Sequence, residues 1–82
     1  MKWDRLKLYN IVAQAKNITR ASEILNLSQS SLSRQMKLLE NEIGAKLFLR
    51  SQDGINLTKE GISLYNYVSN LSYNIDKIKD NI

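Results

Sequence analysis

The 82-residue chain contains no cysteine, no histidine and no proline, and only three glycines. Without Cys or His it lacks thiolate and imidazole nucleophiles, the commonest general base, and the usual zinc and haem ligand sets. The expectation is therefore no metal, no cofactor and no disulfide framework, in keeping with a reducing cytoplasm. Ser, Lys, Tyr and carboxylates are what is left for covalent chemistry. They form no cluster, and the chain is not expected to be an enzyme. Met1-Lys2-Trp3-Asp4-Arg5 mixes charges and leads into no apolar segment of signal-peptide length, and no run approaches a membrane span, so no membrane partner is expected. At this length a single domain forms, with a core near the lower limit for standing without a staple or a partner.

Charge is present but unevenly spread. The formal net charge is +4, and residues 1–50 hold nine Lys/Arg against four Asp/Glu, while residues 51–82 hold three against four. A basic first half suits nucleic acid, although a solvated basic surface has the same composition.

With so few breakers the pattern is mainly helical. From Asp4 to Ala15, Leu6, Tyr9, Val12 and Ala13 share one face, and Leu8, Ile11 and Ala15 widen the stripe beyond one packing partner. Asn17-Ile18-Thr19 interrupts it, with Thr19 as the expected N-cap of a short helix, Arg20 to Leu25, that turns Ala21, Ile24 and Leu25 inward. Asn26-Leu27-Ser28 makes a tight connection, and Ser28 caps a longer helix from Gln29 to Ile43, stopped by Gly44. Two helices joined so closely must cross steeply, which is the helix-turn-helix arrangement. Lys46–Arg50 and Ile55–Leu57 then flank Ser51-Gln52-Asp53-Gly54, and Asp53-Gly54 is a strong hairpin signal because both residue types tolerate positive φ. Thr58 caps a last helix with Glu60 in its first turn. The expected fold is mainly α, a winged helix-turn-helix with a three-helix core, a two-stranded wing and a long C-terminal helix. Residues 1–58 form the reading domain and 59–82 the linker and dimerisation helix.

Along that last helix Leu64, Val68, Leu71, Ile75, Ile78 and Ile82 recur at 4-3-4-3-4 spacing, a heptad seam that a second chain would cover. The same residues also suit packing against the chain's own first helix, and the two uses are compatible. Trp3, Tyr65, Tyr67 and Tyr73 lie far from the reading helix and are read as packing or interface aromatics.

On Gln29–Ile43 the apolar face is Leu32, Met36, Leu39 and Ile43. Gln29, Ser30, Ser33, Arg34 and Lys37 occupy another face, with no carboxylate before Glu40. DNA repels anions, and Gln, Ser, Arg and Lys are side chains that pair with base edges and phosphates, while the helix N-terminus offers free amides to a phosphate. A capped, solvated helix start is the plain alternative for Ser28 to Ser33. A protein-interaction module that uses the helix-turn-helix only as scaffold is the rival function. An enzyme using Ser33 or Lys37 as nucleophile lacks an orienting base.

Leu27-Ser28-Gln29-Ser30-Ser31-Leu32-Ser33-Arg34-Gln35, together with Ala21-Ser22-Glu23-Ile24-Leu25, Leu38-Leu39-Glu40, Ile43-Gly44, Leu47-Phe48, Arg50, Leu57-Thr58 and Gly61, resembles the N-terminal domain of LysR-type transcriptional regulators. The resemblance spans Leu6 to about Leu64. It implies a homodimer formed through the last helix, binding double-stranded DNA at a partly palindromic operator. It further implies that Gln29, Ser30, Ser33 and Arg34 touch bases or nearby backbone, with Lys37 and Arg50 on phosphate and Gln52 contributing from the wing. Arg34 is read as a DNA contact in preference to an ion pair with Glu40, because i+6 spacing is poor for one. Ser33 suits either capping and solvation or DNA. Asp53 departs from the family, whose wing often carries arginine there, and is read as a turn residue. Relatives usually continue into a larger effector-binding domain, so a small-molecule effector is expected only with such a domain. The sequence fits either an excised domain or a naturally short protein, and its ending inside a heptad seam favours excision.

Overall fold

Helix α1 (Trp3–Ala15) buries Leu6, Tyr9, Val12 and Ala13, the four residues expected to share its inner face. The computed structural model describes residues 2–80. Helices α2 (Ile18–Leu25) and α3 (Gln29–Ile43), strands β1 (Phe48–Ser51) and β2 (Gly54–Leu57), and helix α4 (Lys59–Asp80) follow in order. The architecture is the winged helix-turn-helix anticipated above, with α1, α2 and α3 around one core and the antiparallel hairpin beside it. Ile82, the last position of the expected seam, lies outside the described residues.

Between α1 and α2 the chain turns through Lys16 in the left-handed region, at φ 55, and then Asn17 in an extended conformation. The Asn17 side-chain oxygen accepts a hydrogen bond from the Arg20 amide at 3.0 Å. Asn17 is therefore the cap of α2, in place of Thr19, which lies inside the helix. The earlier start also corrects the inward face: Ala21 and Ser22 are buried and Leu25 is half-buried, whereas Ile24 falls on the flank and is 54% exposed. Ser22 is accommodated because its hydroxyl donates to the Thr19 carbonyl at 2.7 Å.

Ser28 caps α3 as expected, its hydroxyl accepting from the Ser31 amide at 3.1 Å, and α3 ends at Gly44 in the left-handed region. In the hairpin Phe48 faces Leu57 and Ser51 faces Gly54. The two turn residues are thus Gln52 and Asp53, neither with positive φ, and Gly54 alone takes the unusual backbone, at φ 124. This shifts the expected Asp53-Gly54 turn by one residue. A Cβ on residue 54 would stand 2.6 Å from the Lys16 carbonyl oxygen, which accepts from the Ile55 amide at 3.0 Å. The wing is in this way fastened to the α1–α2 corner.

Candidate nucleic-acid interface

Helix α3 turns Leu32, Met36 and Leu39 into the core at 0%, 2% and 0% exposure. On the outer side Gln29, Ser30, Arg34 and Lys37 are exposed and Ser33 is half-buried. Its orientation is held from behind by Arg5 of α1, which donates to the Gln35 side-chain oxygen at 2.9 Å and pairs with Glu42.

Strand β1 runs beside this face and leaves an open cleft whose walls include Ser30, Ser33, Arg34, Lys37, Lys46 and Arg50. Four cations thus surround it. The carboxylate in the same wall, Glu40, is turned to the backbone: its Oε2 accepts from the Leu47 amide at 2.7 Å and the Phe48 amide at 3.3 Å. Glu40 secures the strand's start instead of pairing with Arg34. Across the cleft Arg50 Nη2 donates to the Ser33 hydroxyl at 3.2 Å, joining wing and helix. Sequence reasoning placed Arg50 near the backbone contacts but missed this link and missed Lys46. A basic residue just ahead of the first wing strand was the available signal for the latter.

Gln52 is exposed in the wing turn and sits apart from α3, over a shallow groove shared with Asn17, Thr19 and Asp53. The structure therefore groups Ser30, Ser33, Arg34, Lys37 and Arg50 in one cleft, with Gln29 exposed at the start of α3 and Gln52 in the neighbouring groove.

Away from the cleft, the start of α4 is anchored tightly. Thr58 Oγ1 accepts from the Gly61 amide at 3.0 Å and donates to the Lys46 carbonyl at 2.6 Å, and the Thr58 amide donates to the Leu47 carbonyl at 3.0 Å. Tyr9 donates its hydroxyl proton to the Gly61 carbonyl at 2.6 Å. Burial pushes the Tyr9 hydroxyl up from 10.0 to about 12, with the negative charge of Glu40 adding to the effect.

Of the seam residues, Val68 belongs to the chain's own core at 1% exposure, so a partner has no surface of it to cover. Leu64 is half-buried against that core, Leu71 and Ile75 are half-buried, and Ile78 is 61% exposed. Helix length explains the gradient: 22 residues of α4 span about 33 Å and 13 residues of α1 about 20 Å. Trp3 and Tyr65 pack on the core, while Tyr67 and Tyr73 are exposed.

A helix pair whose outer helix carries no acid from Gln29 to Lys37, with a hairpin that brings Arg50 alongside it, defines a helix-turn-helix protein of the winged class. The chain belongs to the LysR family of bacterial regulatory helix-turn-helix proteins, whose family model matches residues 3–62. It is 30% identical over 82 residues to the uncharacterised HTH-type transcriptional regulator YkuM of Bacillus subtilis (strain 168), covering all of this chain and 28% of that one. It is 45% identical over 60 residues to the HTH-type transcriptional regulator BudR of Raoultella terrigena, covering 73% and 21% respectively. Among solved structures, the BenM DBD bound to catB site 1 DNA superposes with a TM-score of 0.89 at 31% identity, covering 98% of this chain and 90% of that one. The CbnR DBD–DNA complex gives 0.87 at 32% identity, covering 99% and 93%. The chain spans roughly a quarter of the length of the curated relatives it matches. Among the described residues no helix is long and apolar enough to cross a membrane.

Proposed function

We propose that the chain is the DNA-reading part of a dimeric transcription regulator, with no enzymatic activity of its own and working in the cytoplasm. Residues 1–58 carry the reading surface and residues 59–82 the dimerisation helix. Helix α3 enters the major groove with Gln29, Ser30 and Arg34 toward base edges, while Lys37 and Arg50 meet phosphates and Gln52 meets the flanking backbone. The observation that carries this reading is the outer face of α3. From Gln29 to Lys37 it has no acid, and the carboxylate that follows, Glu40, is engaged by two backbone amides.

The apolar end of α4, where Leu71 and Ile75 are half-buried and Ile78 is exposed, supports dimerisation. Leu71, Ile75 and Ile78 extend beyond what α1 can cover, and a second copy of the same helix supplies the missing apolar surface. Two reading helices then address two half-sites separated by one DNA turn or a multiple, which makes the operator partly palindromic.

Selection from random duplex DNA, together with the solution mass, tests both parts. A twofold-symmetric enriched motif and twice the chain mass are expected. Absence of salt-sensitive duplex binding would overturn the DNA reading, and a monomer at micromolar concentration would overturn the dimer.

A further inference from the structure

Arg50 and Ser33 are far apart in sequence and belong to different elements, yet the wing guanidinium lies on the helix hydroxyl at 3.2 Å. Two features give this contact a purpose. First, the backbone of Arg50 is fixed: it pairs with Ile55 in the hairpin, and the Ile55 amide is tied to the Lys16 carbonyl at 3.0 Å. Only the exposed side chain is left to be placed, and a long flexible side chain loses considerable rotamer freedom when it is. Second, the nearby carboxylate does not compete for it, because Glu40 Oε2 is engaged by the Leu47 and Phe48 amides.

The donor and acceptor count sets what the pair offers to a ligand. A guanidinium has five N–H donors and no acceptor, whereas a hydroxyl has one donor and two lone pairs. Ser33 spends a lone pair on Arg50 and keeps its own proton. Arg50 keeps its other N–H groups. These free donors converge on the cleft between α3 and β1, flanked by Lys37 and Lys46. Charge-assisted donors in a fork suit a phosphate oxygen.

We infer that Ser33 and Arg50 form one clamp for a single DNA backbone phosphate in this cleft, so that Ser33 is a positioning residue for Arg50 and not a base reader. The inference rests on the DNA reading proposed above and sharpens it. It reassigns a hydroxyl on the reading helix from sequence recognition to backbone attachment. It also makes the wing's contribution depend on a helix residue.

The experiment measures binding of the chain to a pool of random-sequence duplexes across a salt series, with motif selection in parallel, for wild type, Ser33→Ala, Ser33→Thr, Arg50→Ala and the Ser33→Ala/Arg50→Ala double variant. Arg34→Ala serves as an independent control, and far-UV circular dichroism confirms helix content. Loss of one charge-assisted contact weakens binding about tenfold. The expected result is that Ser33→Ala and Arg50→Ala each approach that loss and each lower the log–log salt slope by up to about one. The double variant falls no further than Arg50→Ala, Ser33→Thr is near wild type, and Ser33→Ala enriches the same base motif as wild type. The clamp is overturned if Ser33→Ala changes the preferred base at one position with the slope intact, or if the two losses multiply. It is equally overturned if Ser33→Ala is silent while Arg34→Ala weakens binding. A wild-type chain that ignores duplex DNA at all salt concentrations instead refutes the underlying DNA reading, a result distinct from any of these.

Discussion

Replacing Gly61 by alanine puts two well-measured effects in opposition. Gly61 lies in the first turn of α4, inside a regular helix, where alanine is favoured over glycine by about 1 kcal/mol through backbone entropy. Helix propensity alone therefore predicts a more stable protein. Packing predicts the reverse. A Cβ on residue 61 would fall well inside contact distance of the Leu47 carbonyl oxygen and 3.1 Å from the Tyr9 hydroxyl oxygen. The blocking atom is backbone, held by the Thr58 amide at 3.0 Å, so it has no rotamer through which to escape.

Relief requires α4 to move away from Leu47, the residue just before β1, which strains the Thr58–Leu47 bond and the Tyr9–Gly61 bond together. Overpacking of this kind costs about 1–3 kcal/mol. Weakening a buried hydrogen bond so that a polar group is left wanting costs about 1–3 kcal/mol more. After subtracting the propensity gain, the net destabilisation is about 1–5 kcal/mol, centred near 3, a large share of the total for a domain of this size. Urea unfolding followed by circular dichroism, at one fixed protein concentration because the proposed self-association would contribute to stability, measures it. The midpoint should fall by roughly 2 M with little change in slope. Ser63→Ala, at an exposed site in the same helix, is the control and should hold or slightly raise the midpoint. A Gly61→Ala midpoint at or above wild type would refute the claim that α4 touches the Leu47 carbonyl at this point.

Glu40→Ala strips the acceptor from two strand amides and should cost about 2–3 kcal/mol in the same unfolding assay; a loss equal to that of an exposed-glutamate variant such as Glu60→Ala would count against the cap. Tyr9 gives the protein an alkaline limb. Its hydroxyl is raised from 10.0 to about 12, so the neutral form's contribution is complete below pH 10 and is lost as pH rises through 12. Tyr9→Phe should lower stability near neutrality and flatten that limb, and an unchanged limb would assign it to other groups. Asn10 donates to the Ser69 hydroxyl at 3.0 Å, but its side-chain oxygen is buried with no hydrogen-bond partner. Asn10→Leu with Ser69→Ala should therefore raise thermal stability, and a lower melting temperature would mean that the oxygen has a partner in solution. Asp53→Arg adds a cation in place of an anion at the wing turn and should tighten duplex binding and steepen its salt dependence by up to about one. No gain would place the wing turn away from DNA.

Local signals carried most of the fold. Ser28, Gly44 and Thr58 punctuate the chain where their cap chemistry demands, and the apolar periods of α1 and α3 match their buried faces. The misreadings arise where two local solutions compete. Asn17 and Thr19 are both good caps, and the left-handed turn at Lys16, an unfavourable choice for a residue with a Cβ, decides for Asn17. That two-residue shift explains why Ile24 is exposed. Likewise Asp-Gly signals a turn without fixing its centre, and the Lys16 carbonyl, which accepts from the Ile55 amide and leaves no room for a Cβ at Gly54, sets the register. Val68 fits a heptad and a core position equally, since both are apolar at helical spacing. At the candidate interface the face of α3 was legible because helical period dictates it. The Ser33–Arg50 and Glu40–Leu47 contacts were not, because they depend on how a strand lies across a helix, which no local pattern encodes.

Leu47 shows how the reading surface and the last helix come to move as one body. Its amide is held by Glu40 of α3 and its carbonyl by the Thr58 amide at the head of α4, while its side chain is fully buried. The next residue, Phe48, begins β1 and stacks obliquely on Tyr9 with ring centroids 5.3 Å apart, and Tyr9 in turn holds Gly61. A displacement of the α4 head relative to α3 must therefore stretch hydrogen bonds on both sides of a single residue, at a cost comparable to the loss of a buried bond on each side. With the proposed dimer seam on α4 and the proposed phosphate contacts on α3 and β1, such stiffness would set the distance between two reading helices. Half-site spacing would then be a property of the paired α4 helices, inherited by the interface through Leu47.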